Sequence, residues 1–555
     1  MKKYLLVLVS LCCALLPALA EHPEYPELKK SDANIIGHVL DKKTSEHLPY
    51  ITIALKGTTI GTVTEATGHY FLKNLPEGNF MMEVSSVGYK TVTRSVTLKK
   101  GKTLEENFEL EEDAIALDGV VVSANRSETT RRLAPTLVNV VDLKLFETTN
   151  SSTLSQGLNF QPGVRVETNC QNCGFQQVRI NGLDGPYTQI LIDSRPVFSA
   201  LSGVYGLEQI PASMIERVEV MRGGGSALFG SSAIAGTINI ITKEPLRNSG
   251  QLSHTITSIG GSSAFDNNTS LNASLVTDDH RAGLYIFGQN RHRSGYDYDG
   301  DGFTELPKLK NQTVGFRSYL KTSTYSKLTF EYHHMQEFRR GGDMLDRPPH
   351  EAHIAEQLQH SIDGGSLKYD YFSPNEKNRL SVFASAANTD RDSYYGPGND
   401  PLKAYGKTTD LTAMGGVQYV HTFDKCLFMP SDLTAGLEYN RDRLKDNMWG
   451  YDRHTDQTVK VYSAFLQNEW KNKHWGILIG GRLDKHNMVD DVIFSPRANL
   501  RFNPTDNINL RLSYSSGFRA PQAFDEDMHI ENVGGTVAMI ERAKDLKEEK
   551  SQSFS

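Results

Sequence analysis

INLRLSYS, Ile508–Ser515, alternates Ile508, Leu510, Leu512 and Tyr514 with Asn509, Arg511, Ser513 and Ser515. A period of two places the first set on one face of an extended strand and the second on the other. LTAGLEYN, Leu433–Asn440, repeats the pattern: Leu433, Ala435, Leu437 and Tyr439 oppose Thr434, Gly436, Glu438 and Asn440, and the stretches LTFEYHH and VYSAFLQNEW behave likewise. Such strands suit either a water-soluble sandwich or a membrane barrel. The connections separate the two. After Gly250, short turns such as Ser323–Ser326, Pro374–Lys377 and Asn503–Asp506 alternate with long loops such as Arg340–Gln359, Asp390–Thr408 and Arg519–Lys547. Short turns on one side and long loops on the other are the rule for outer-membrane barrels. Tyr371, Tyr394, Tyr451, Trp470 and Trp475 near strand ends suit interfacial girdles. Residues 250–555 are therefore read as an antiparallel transmembrane β-barrel of roughly thirteen strands, with Ser551–Ser555 starting another; an odd, unclosed count reads as a barrel truncated at its C-terminus.

The bulk composition agrees. The formal net charge is −7, with no sustained basic stripe, so nucleic acid is not expected as a partner. The one long apolar run is the first, MKKYLLVLVSLCCALLPALA. Lys2 and Lys3 form its positive region, Tyr4–Leu16 its apolar region and Ala18–Ala20 its small-residue cleavage site, so residues 1–20 read as a secretory signal peptide. Export into an oxidising compartment allows the remaining Cys170 and Cys173 to pair; Cys426 is left over with no assigned role.

Residues 34–110 show short alternating runs divided by Lys56-Gly57-Thr58, Ala66-Thr67-Gly68, Pro76-Glu77-Gly78 and Val87-Gly88-Tyr89, the spacing of a small β-sandwich. Residues 117–124 hold a β-branched box, Asp118-Gly119-Val120-Val121-Val122-Ser123-Ala124. It suits strand addition to the sheet edge of another protein, or an ordinary first strand of the next domain. Residues 131–245 read as a compact α/β domain that closes on EVMRGGGSALFGSSAIAGTINIITK, Glu219–Lys243. Its Gly and Ser residues place unusual backbone freedom between two strands. A phosphate loop is rejected there, because no Gly-Lys-Ser/Thr follows.

This order of parts resembles the TonB-dependent outer-membrane receptors. Gly37-His38-Val39, the Thr64–Tyr70 turn, Leu75-Pro76-Glu77-Gly78 and Gly88-Tyr89 resemble the carboxypeptidase regulatory-like domain. The box at Asp118–Ala124 resembles the TonB box. Val178-Arg179-Ile180-Asn181-Gly182 with Ile192-Asp193, then Ile215–Val220 and Arg222-Gly223-Gly224 onward, resemble the plug domain. Gly517-Phe518-Arg519-Ala520-Pro521 matches a barrel motif, whose usual companion is reduced here to Ala543–Leu546.

The resemblance implies a mostly β protein of the Gram-negative outer membrane: N-terminal sandwich, α/β plug, C-terminal barrel. It implies a transporter, not an enzyme, that binds a scarce metal chelate (ferric siderophore, haem or cobalamin) at the outer mouth. TonB, driven by the inner-membrane complex, would then pull on the box, and a surface lipoprotein is a further candidate partner. Glycan or peptide import is the alternative within transport, and a passive pore or adhesin the alternative outside it. Arg217 and Arg222 are expected to pair with barrel carboxylates.

Three groups carry candidate ligand chemistry. Asp297, Asp299, Asp301 and Glu305 alternate before a glycine turn and suit Ca2+ in an outer loop, although Lys308 stands where an EF-hand has its last carboxylate; a solvated acidic loop also fits. Cys170 and Cys173 suit a disulfide or a soft-metal pair. His350, His353, Arg519 and His529 lie in outer loops; imidazoles there suit haem iron or another metal, or simple solvation.

Overall fold

A computed structural model of the chain describes residues 30–555 except 66, 87–88, 113–119, 127–128, 196–209, 278, 398–403, 506–507, 534–535 and 544. The segment read as a signal peptide, and Asp118 and Gly119 of the box, lie outside the described residues.

The barrel wall is a 14-stranded sheet in sequence order, from Ser249–Ser258 through Ile508–Arg519 to Glu549–Phe554, every neighbour antiparallel. Its alternation has the phase that only lipid outside can favour. Leu437, Leu466, Ile479, Leu510 and Leu512 point outward and stay 56–65% exposed. Glu438, Gln467, Arg482, Asp484, Arg497 and Asn499 on the opposite face are buried. Ion pairs inside and leucines outside would be unfavourable in water, whereas in a bilayer the outward band meets hydrocarbon.

The strands run taller than the loop reading expected. The connection placed at Arg340–Gln359 shrinks, because one strand continues to Gly342 and the next starts at Ile354. The connection placed at Asp390–Thr408 shrinks likewise, between Asn378–Pro397 and Tyr405–Cys426. Each added rung satisfies backbone N–H and C=O groups that an irregular loop would have to satisfy otherwise.

The plug has a four-stranded sheet in the order Val138–Asp142, Ile215–Arg222, Gly236–Thr242, Thr188–Ile192, with a separate hairpin of Val164–Cys170 and Phe175–Ile180. The core is apolar, built from Val141, Phe146, Leu154, Val218, Ile238 and Ile240 among others. A single 3-10 turn, Ala212–Met214, leads into the strand Ile215–Arg222. Strands from Lys30–Asp41 to Phe108–Leu110 form two small sheets around Ile35, Ile53, Met82 and Phe108. That sandwich sits at the short-turn end of the barrel: the Thr59 amide donates to Thr324 O at 2.9 Å, and Arg247 lies 4.2 Å from the centre of the Tyr50 ring.

Candidate functional site

The chemistry of this molecule concentrates where plug meets wall. Glu438 on the wall accepts from Arg126 at 2.6 Å, and from its wall neighbour Arg482 at 2.7 Å. Arg126 also faces the rings of Phe229 and Phe465, and Arg482 donates to Leu228 O of the plug at 3.2 Å. A second knot joins Asp193 of the plug to Arg317 of the wall at 2.5 Å, with Glu244 accepting from Lys327 at 2.6 Å. Arg511, from the strand quoted first above, donates to Arg131 O at 2.7 Å and to Ala134 O at 3.2 Å. A cavity of about 190 Å³ separates the plug's Gly230–Ser232 edge from Glu438, Asp442 and Asp484 of the wall.

The described part of the box, Val120–Ala124, is tucked into this seam. Val120 and Val121 pair with Thr130 and Thr129, and Val121, Ser123 and Ala124 are fully buried. Glu219 holds the segment by accepting from the Val122 amide at 2.9 Å, the Ser123 amide at 2.8 Å and the Ser123 hydroxyl at 2.8 Å. The wall holds it through Arg497, which donates to Ala124 O at 2.9 Å, and Glu469, which accepts from Asn125 at 2.7 Å.

The expectation that Arg217 and Arg222 would reach barrel carboxylates is corrected. Arg217 pairs with Glu216 and Glu219 on its own strand, and Arg222 donates to Pro162 O, all within the plug. Arg126, ahead of the plug, reaches a wall carboxylate, Glu438. Arg179 likewise stays inside the plug, with Glu167 and Asp184. The glycines behave as their chemistry requires. Gly182 and Gly223 adopt φ of +83° and +82°, which favours glycine. A Cβ at Gly224 would meet Ser515 and Ser516 of the wall at 3.1 Å, and the Gly224 amide donates to Ser553 Oγ at 3.1 Å.

At the long-loop end, four side chains distant in sequence converge. The turn of the plug hairpin presents Cys170 and Cys173; Glu356 comes from the wall strand Ile354–Phe372, and His529 from the loop after Arg519. Cys170 Sγ donates to Glu356 Oε2 at 3.1 Å, Cys173 Sγ lies 3.2 Å from His529 Nε2, and that nitrogen lies 3.6 Å from Glu356 Oε2. For this pair, which suits a disulfide or a soft-metal pair, the structure shows free cysteines, each also within reach of a further partner. Hydrogen bonding to Cys173 holds the Cys170 thiol down at about 6, against the opposing effect of burial. Burial, aided by Arg391 and Arg453, holds His529 down at about 4, so its imidazole is neutral near pH 7.

The other outer histidines do not join this cluster. His350 Nδ1 is 2.8 Å from Tyr405 Oη, and His353 Nδ1 is 2.6 Å from Asp343. Arg519 lies 4.2 Å from the centre of the Phe524 ring and pairs with Glu549 at 3.6 Å. Asp297, Asp299, Asp301 and Glu305 do come together, with one carboxylate oxygen from each within 4.8 Å of the others. Asp297 also accepts from the amides of Gly300 at 2.7 Å and Gly302 at 2.9 Å, which shapes the turn.

Sequence reading missed Arg126, Glu219, Glu356 and Glu438 as site residues. Glu438 alone carried a signal, a charge in the inward phase of the Leu433–Asn440 alternation.

Comparison with known proteins follows the same divisions. The CarboxypepD_reg-like domain matches residues 35–122, the TonB-dependent receptor plug domain residues 130–237, and the TonB dependent receptor-like β-barrel residues 242–555. The vitamin B12 transporter BtuB of Vibrio vulnificus is 24% identical over 424 residues, 74% of this chain and 64% of the relative. The ferric enterobactin receptor of Pseudomonas aeruginosa is 23% identical over 480 residues, 73% of this chain and 61% of the relative. The chain thus spans less than two thirds of the length of either. Among solved structures, the siderophore receptor PirA from Acinetobacter baumannii superposes with a TM-score of 0.61 at 19% identity, over 70% of this chain and 62% of that one. PirA from Pseudomonas aeruginosa superposes with a TM-score of 0.60 at 16% identity, over 75% and 70%. Both show the same fold. A barrel match over more than half of the chain, with plug and sandwich ahead of it in that order, makes this protein a member of the TonB-dependent receptor family, set in the outer membrane of a Gram-negative bacterium.

Proposed function

We propose that this chain is the receptor of an energised import system that takes a metal chelate (ferric siderophore, haem or cobalamin) into the periplasm through TonB. One observation carries the reading: Ser123–Arg126, the end of the box and the two residues behind it, are bonded at once to the plug through Glu219 and to the wall through Glu438, Glu469 and Arg497. Force applied to the box is therefore delivered to the seam. The names of the relatives, a vitamin B12 transporter and siderophore receptors, support a metal chelate as cargo. The reading assigns the chain no covalent step on its cargo.

Ca2+ belongs to the same reading. Four carboxylates whose oxygens lie within 4.8 Å of one another suit a hard cation that takes oxygen ligands at about 2.3–2.6 Å. Asp297, Asp299, Asp301 and Glu305 would hold it and so fix the outer loop that carries them.

The test is calorimetric titration of the full-length receptor, folded in detergent, with ferric siderophores, haem and cobalamin, in calcium and in chelator. Sub-micromolar binding of one of them is expected, weakened by chelator. Failure of all three against folded receptor overturns the chelate reading. In cells, deletion of Asp118–Ala124 is expected to abolish uptake while leaving surface binding; uptake that survives overturns energised transport.

A further inference from the structure

We infer that Cys170, Cys173, Glu356 and His529 form a binding site for a single bare transition-metal ion of the zinc class, at the outer junction of plug, wall and loop. Two sulfurs, one imidazole nitrogen and one carboxylate oxygen have positions within 4.8 Å of one another. The close pairs stand at 3.1, 3.2 and 3.6 Å. A tetrahedral ion with bonds of about 2.0–2.3 Å needs ligands roughly 3.3–3.8 Å apart. The cluster is therefore near the required size.

The donor set selects the ion. Thiolate and imidazole disfavour Ca2+ and Mg2+, and favour Zn2+ and its neighbours. This separates the site from the all-oxygen Asp297 loop. Apolar side chains cover the Cys173 side: Leu358, Tyr395, Met448 and Ile530 share its buried cluster, and the Tyr395 ring meets His529 edge-on at 5.4 Å, while the charges of Arg391 and Arg453 also act on His529. Glu356 is 1% exposed and Cys173 0%. Two sulfurs and a carboxylate brought together away from water would repel one another once ionised; a divalent cation among them turns that repulsion into attraction. On binding, both sulfurs coordinate as thiolates and Glu356 as a carboxylate; the protons these three groups hold leave to solvent, two Sγ–metal bonds form, and no electron changes hands. The inference does not depend on the chelate reading, since the ligand is the ion itself.

The test uses the full-length receptor, folded in detergent and kept reduced, with Co2+ as a spectroscopic probe and Zn2+ as competitor. One Co2+ per chain is expected, with a thiolate-to-cobalt charge-transfer band that Zn2+ abolishes. Cys170→Ser with Cys173→Ser should remove the band, while Cys426→Ser should keep it. His529→Ala should weaken binding by more than about a hundredfold, the upper end of what loss of even an outer-shell partner costs. Heat-modified electrophoretic mobility reports that each variant's barrel is folded. A folded, reduced receptor with no band overturns the site. So does a band that survives the double Cys variant, or undiminished affinity in His529→Ala. Receptor isolated without reductant whose two thiols resist alkylation until reduced, and which then binds no Co2+, assigns the pair to a disulfide and overturns it as well.

Discussion

The inside of the plug and its seam with the wall are both buried, yet they are built from opposite materials. Inside, Val218, Val220, Ile238 and Ile240 pack on a hydrogen-bonded sheet with hardly a polar atom among them. At the seam, charged and polar groups are prominent, Arg126, Glu438, Arg482, Asp193, Arg317, Glu469 and Arg497, beside an apolar patch where Tyr285 and Phe287 of the wall meet the plug core. Opening the first region exposes apolar surface, which water opposes. Opening the second exchanges protein partners for water, which solvates each freed charge. A domain built this way is expected to leave its socket before it loses its own shape.

The largest expected effect comes from Glu438→Ala, which leaves Arg126 and Arg482 buried without their shared carboxylate. Removing one partner of a buried pair costs about 4 kcal/mol. Hydrogen exchange should then show box and seam amides opening, with the Val218–Ile240 ladder still protected; a ladder that melts with the seam would break the comparison. Ile238→Ala should do the reverse. It removes about 3 kcal/mol from the plug core, and the ladder should exchange faster while Ser123 keeps its protection. Gly224→Val pushes side-chain atoms into Ser515 and Ser516 and should cost about 2 kcal/mol of docking, read as easier proteolysis of the plug within an intact barrel. Lys377→Ala sharpens the contrast from outside. Its 2.5 Å pair with Asp424 sits at 41% and 80% exposure, so a thermal melt should register no more than about 0.5 kcal/mol.

The wall was the most legible part of the chain. Alternation such as Leu510, Leu512 against Arg511, Ser513 is a local property, and it survives folding unchanged. The glycines of the last plug unit were also readable, because close approach of backbone to a wall needs glycine whatever the wall is. The seam was not. Arg126 follows the box as one more polar residue, and nothing local distinguishes it from Arg217 or Arg222, which stay inside the plug. The outer metal-type cluster was half visible: Cys170, Cys173 and His529 each drew attention separately. Glu356 did not, and Cys170 and Cys173 reach Glu356 and His529 across 186 and 356 residues of chain. Convergence over such separations is set by barrel register, which no local pattern encodes.

Glu438 lies between two guanidinium groups, one carried by the segment behind the box and the other by the wall itself. When Arg126 is drawn away toward water, Arg482 stays behind, so the barrel is never left holding a solitary anion. On the proposed reading the joint would act as a latch with a spare tooth: each closing is expected to find the same carboxylate, held in place by Arg482.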